Sequence, residues 1–160
     1  MNSEGWFFAY GWALDKNLLK KVIGEVSEPE RALLRGYRLV FDVFSHSWKG
    51  GVANIVEDKE GIVYGAVYRV ETEQFSKLDR VVGVPSLFSK RKVIVELVDH
   101  RILESITYIS TTSRGRWIRP SEQYLSAVLR GLKQLGYGDD VIEEVRRVAR
   151  GELDKSRKRG

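Results

Sequence analysis

At 160 residues, with 42% hydrophobic and 31% charged side chains, the chain has the composition of one soluble globular domain, and no apolar run is long enough to span a membrane. Cys is absent, which excludes disulfides and thiolate chemistry, and no basic stretch precedes an apolar one at the N-terminus, so the chain reads as cytoplasmic. The net charge of +5 is concentrated at one end: Lys155-Ser156-Arg157-Lys158-Arg159-Gly160 holds four of the 27 basic side chains and no acidic one, so residues 1–152 read as a near-neutral single domain and residues 153–160 as a basic, solvated tail.

The chain opens on Trp6-Phe7-Phe8-Ala9-Tyr10, an aromatic run that predicts a strand buried on both faces. Gly11 breaks the run, and Asp15 stands as the N-cap of a helix that places Leu18, Leu19, Val22 and Ile23 at helical spacing. A glycine turn between strand and helix leaves backbone N–H groups at a strand end, where a carboxylate or phosphate can sit; a plain connection is the alternative. Pro29 predicts a short helix through Leu34, ended by Arg35-Gly36. Residues 37–45 and 52–56 read as strands around a turn at Trp48-Lys49-Gly50-Gly51, and residues 57–61 as a polar hairpin loop. Residues 62–70 read as a further strand, interrupted by Gly65. Thr72 is the expected N-cap of a helix ending near Leu78-Asp79, followed by an apolar loop over residues 81–85. Two more strands are predicted over residues 91–98 and 103–111.

Pro120-Ser121-Glu122-Gln123 opens a helix whose apolar face carries Tyr124, Leu125, Val128, Leu129, Leu132 and Leu135. Gly136-Tyr137-Gly138 ends it, and Asp139 or Asp140 caps a last helix. About six strands, mostly in antiparallel hairpins, with helices near both ends, indicate an α+β fold built on a small barrel-like sheet with the 6–10 strand at its centre.

Isolated chemical motifs are weak. His46 and His100 lack metal-ligand spacing, so neither a metal nor a cofactor is expected. Ser45-His46-Ser47 reads as a strand end, because a triad needs spatial arrangement that adjacency does not supply. Trp6, Trp48 and Trp117 read as core or rim packing. Arg114, Arg116 and Arg119 surround Trp117 as a solvated basic loop, with contact to an anion or RNA as the second reading.

Several motifs, taken together and in order, resemble the γ-glutamylcyclotransferase (AIG2-like) family. The family's Phe-Ala-Tyr-Gly-Ser-Asn-Leu opening is matched by Phe8-Ala9-Tyr10-Gly11-Trp12-Ala13-Leu14, and its Tyr/Phe-Arg-Leu-x-Phe strand by Tyr37-Arg38-Leu39-Val40-Phe41. Trp48-Lys49-Gly50-Gly51 with Ala53-Asn54-Ile55, then Val63-Tyr64-Gly65-Ala66-Val67-Tyr68, then Pro120-Ser121-Glu122-Gln123-Tyr124 continue the match at family-like spacing. The resemblance implies a mixed β-barrel with flanking helices and a cavity at one end. It also implies a reaction, in which the free α-amine of a γ-glutamyl group attacks its own γ-amide carbonyl, an amine leaves and 5-oxoproline forms. One carboxylate in an apolar setting moves both protons, and backbone N–H groups of the glycine turn hold the substrate carboxylate. By resemblance, the ligand site draws on Tyr10, Gly11, Trp12, Ala13, Leu14, Val82 and Tyr124.

The sequence departs from the family at that site. The family's Leu-Asp-x-x-Glu-Gly motif, which carries the catalytic Glu, is here Leu78-Asp79-Arg80-Val81-Val82-Gly83, and valine accepts no proton. Trp12 and Ala13 replace Ser and Asn in the opening turn. Asp79 and Glu96 are the substitute carboxylates to weigh, while Glu71 and Glu73 read as solvated. Three readings follow: a member of the fold that has lost the reaction and binds a small ligand or acts through protein contacts; an active cyclotransferase with a relocated acid/base; and a nucleic-acid-associated protein acting through its tail and the 114–119 loop.

Overall fold

The computed structural model describes residues 5–152; the basic tail expected over residues 153–160 lies outside them. Five strands close into a barrel in the order β1-β3-β2-β4-β5. They are β1 (Gly5–Ala9), β2 (Glu30–Ser45), β3 (Gly50–Val70), β4 (Phe88–Leu97) and β5 (Ile102–Ser110). The aromatic run forms β1, antiparallel to β3 through Phe8↔Val67 and parallel to β5 through Phe7↔Ile106. Both edges of β1 are therefore paired, and Phe7, Phe8 and Ala9 are buried in the core. Closure removes the open sheet edges that invite aggregation.

The strand count is five rather than about six because residues 52–56 and 62–70 belong to one strand. The polar segment 57–61 is not a hairpin loop. It is an excursion within β3, where the pairing shifts from Arg35↔Ile62 to Tyr37↔Glu57 and then resumes. Gly36, at φ +88, and Gly61 make the bend: a Cβ at Gly61 would lie 2.3 Å from the Tyr37 carbonyl oxygen.

The short helix expected after Pro29 is also a strand. Residues 30–34 pair with β3 from Glu30↔Val67 to Leu34↔Val63, and with β4 through Ala32↔Leu97. Alternation seats Ala32 and Leu34 in the core. Cross-strand pairing on both sides outweighs the helix-start signal of a single proline.

Four helices flank the barrel: α1 (Lys16–Ile23), α2 (Thr72–Val82), α3 (Glu122–Gln134) and α4 (Asp139–Ala149), with a single 3-10 turn at Trp12–Leu14. Asp15 caps α1, accepting from the Asn17 amide at 3.0 Å. The N-cap of α2 is Glu71 rather than Thr72; the Gln74 side chain reaches back to the Glu71 amide at 3.0 Å. That helix runs one turn further than expected and takes in Val81 and Val82. Ser121 caps α3 by accepting from the Tyr124 amide at 3.2 Å. Gly138, not Asp139 or Asp140, holds the cap position of α4, and both aspartates sit in its first turn. Among the described residues no helix is long and apolar enough to cross a membrane.

Candidate functional site

A cavity of about 760 Å³ opens at one end of the barrel, within the range of small-molecule sites. Its floor is the β1 end and the turn after it. One wall is α2 with Val81 and Val82; the other is the end of β2 with the 112–118 segment and Tyr124 of α3.

Local chemistry explains the turn. Tyr10 is buried and donates its hydroxyl to the Tyr108 carbonyl at 2.5 Å. Gly11 is needed for close approach, since a Cβ there would stand 2.6 Å from Tyr124 Oη; its φ of −119 is open to any residue. Tyr124 Oη accepts from the Ala53 amide at 3.0 Å and also takes a bond from the Trp12 backbone. The Leu14 and Asp15 amides donate to the Gly11 and Trp12 carbonyls at 3.0 and 3.1 Å. The Trp12, Leu14 and Asp15 N–H groups of the expected amide cradle are therefore satisfied within the protein.

Tyr10, Gly11, Trp12, Ala13, Val82 and Tyr124 all line the cavity. Leu14 does not: it is buried on the far side of the turn, where its backbone and Cβ lie against Gly131 and a Cβ on that glycine would come within 2.3 Å. Trp48 and Trp117 contribute to the lining, as do Arg114 and Arg116. Arg119 instead lies over the Trp117 ring at 5.2 Å, and Trp6 packs under Arg69 at 5.5 Å.

Neither weighed carboxylate is in the cavity lining. Asp79 is committed to the Tyr108 hydroxyl at 2.5 Å and to Lys90 at 3.1 Å, outside the cavity lining. Glu96 sits on β4, away from the cavity, held by Arg35 and His100 at 3.1 Å each. The hydrogen bonds with His100 and then Arg35 keep its carboxyl below the ordinary range, the opposite of what a proton carrier needs. Glu71 and Glu73 are exposed at the start of α2.

Phenols supply no base either. Burial pushes Tyr10, Tyr124 and Tyr108 up from the usual phenol value, with the Asp79 contact adding to the rise at Tyr108. No group of three or more candidate metal ligands occurs among the described residues.

One lining residue was not singled out from sequence: Asp42, 6% exposed. Pairing shifts between Phe41↔Ala53 and Val43↔Val52, so Asp42 is the extra residue of a β-bulge. The bulge is held from outside by Ile118, whose amide donates to the Phe41 carbonyl at 2.8 Å, while the Gly51 amide donates to the Arg119 carbonyl at 2.8 Å. Asn54 Nδ2 donates to Asp42 Oδ1 at 3.1 Å, and the Ser113 hydroxyl donates to Oδ2. A lone acid inside the apolar strand Leu39-Val40-Phe41-Asp42-Val43-Phe44 is the signal available in the sequence.

Comparison with known proteins places these features in context. The model of the family described as gamma-glutamyl cyclotransferase, AIG2-like, matches residues 7–126. The mouse (Mus musculus) protein named gamma-glutamylcyclotransferase is 27% identical over 152 residues, covering 89% of this chain and 77% of the relative. Its bovine (Bos taurus) counterpart is 29% identical over 140 residues, covering 81% of this chain and 71% of the relative. A solved structure titled gamma-glutamyl cyclotransferase superposes with a TM-score of 0.84 at 23% identity, over 90% of this chain and 87% of the other; this similarity bears on the fold.

Proposed function

The chain belongs to the gamma-glutamyl cyclotransferase, AIG2-like family, and from that premise we propose that it is a member that binds a small molecule without cyclising a γ-glutamyl amine. One observation carries the reading. Val82, half-buried on α2, lines the cavity at the position where the resemblance puts the proton-transferring Glu. Cyclisation requires the attacking amine to lose a proton and the leaving nitrogen to gain one, and an isopropyl group does neither. The changes at the turn support the same reading. Trp12 lines the cavity as an indole where the family has Ser, and Ala13 brings only a methyl where it has Asn.

The test is release of 5-oxoproline from γ-glutamyl amines. None is expected above background, because loss of a positioned acid/base removes roughly a hundred- to ten-thousand-fold in rate. What remains is the contribution of holding the substrate folded on itself. Val82→Glu alone is expected to restore little, while Val82→Glu with Trp12→Ser and Ala13→Asn is expected to restore more. Robust turnover by the unmodified protein would overturn the reading.

A further inference from the structure

We propose that Asp42 anchors a protonated amine, and that the cavity's ligand is a primary ammonium compound with an aromatic or branched apolar body. This rests on reading the cavity as a ligand site.

The argument begins with how Asp42 is satisfied. A carboxylate offers about four lone-pair sites. Two are taken, both by neutral donors. The Asn54 amide is oriented by the Ser110 N–H, which donates to Asn54 Oδ1 at 2.9 Å and so turns Nδ2 toward Asp42. The Ser113 oxygen accepts from the Gly115 amide at 3.1 Å, which directs its own proton to Asp42. The remaining acceptor capacity is unclaimed, and no Lys or Arg pairs with Asp42 among the described residues. Arg38 lines a small hollow behind Asp42 but is paired with Asp58 at 3.5 Å. Buried carboxylates ordinarily have a cationic partner, because desolvating an unpaired charge is costly.

Apart from the phenols, which burial keeps neutral, the other charged or titratable groups lining the cavity are Arg114, Arg116 and His46. All three are exposed at the mouth, where water and salt screen them. Asp42 is the charge held in a low-dielectric wall, so it outweighs the mouth arginines for any group bound within reach of it. The rest of the lining sets the ligand's body. Phe7, Phe8, Phe88, Trp12 and Trp48 line the interior, and the exposed Phe44, Val81 and Leu87 continue the apolar surface outward at the mouth. Aromatic rings lining the same cavity also favour an ammonium through the ring quadrupole.

The experiment titrates the full chain with phenethylamine and with phenethyl alcohol, its neutral analogue, following tryptophan fluorescence. The amine is expected to bind roughly tenfold or more tightly than the alcohol, as a hydrogen bond to a buried charge implies. Asp42→Asn should bring that ratio to near one. Ser113→Ala, which keeps the charge and removes one donor, should leave the preference for the amine in place. Three results would overturn the proposal: no binding of the amine, equal affinity for both probes in the unmodified chain, or Asp42→Asn and Ser113→Ala weakening both probes alike. The last would mark Asp42 as a tie for the 110–115 loop. Release of 5-oxoproline would sink the non-catalytic reading while leaving the amine preference standing, so the two failures are separable.

Discussion

The helical side of the molecule and its cavity wall each bury an aspartate, in contrasting ways. Asp15, 2% exposed, caps α1 through the Asn17 amide and receives the Arg130 guanidinium at 2.7 Å. Asp42, 6% exposed, has only an amide and a hydroxyl as partners among the described residues. The first charge is matched within the fold, and its removal takes away a cap and leaves Arg130 without its partner. The second is matched only by neutral donors among the described residues, and on that contrast the proposed amine site rests. Two carboxylates of similar burial thus differ in what answers their charge.

The largest expected effect comes from disturbing what holds the cavity wall. A Cβ at Gly51 would lie 2.0 Å from the Ile118 carbonyl oxygen, so Gly51→Ala must displace the 118–119 segment that holds the bulge around Asp42. We expect about 3 kcal/mol of destabilisation, read from the denaturant midpoint. A shift of a few tenths would mean that the wall yields and that Asp42 is not firmly placed.

Asp15→Ala comes next, at about 1–2 kcal/mol, from loss of the cap and of a charge-assisted bond to a half-exposed Arg130. Asp42→Asn is expected to cost less than about 1 kcal/mol, because an unpaired buried charge is relieved while one neutral bond survives. If the two substitutions cost the same, the contrast between the aspartates fails.

The smallest effect lies at the opposite end of the barrel, in the ion pairs of Glu96. Its folded-state carboxyl is depressed by His100 and Arg35. The associated stability is therefore fully present above the ordinary carboxylate value of about 4.3 and is lost as pH falls through the folded-state value. Glu96→Gln should slightly lower stability at neutral pH, and its difference from the unmodified protein should fade as pH falls through the folded-state value of Glu96. A difference that persists undiminished in acid would contradict the assignment.

Much of this was legible in the chain. The aromatic density of residues 6–10, the Asp15 cap and the Pro120-Ser121 helix start are local signals, and each forms as read. The motifs also carried the family, because short motifs in order and at family-like spacing need no coordinates.

What only tertiary structure decided concerns pairing. Residues 30–34 are a strand because β3 and β4 supply partners for them, and no sequence window contains those partners. Asp42 points into the cavity wall because a one-residue bulge shifts the β2–β3 register and the distant 118–119 segment holds it open. Side chains alternate faces with a period of two, so a single extra residue decides whether a lone acid faces water or a cavity. Composition shows that the acid is there; the register decides which surface it faces.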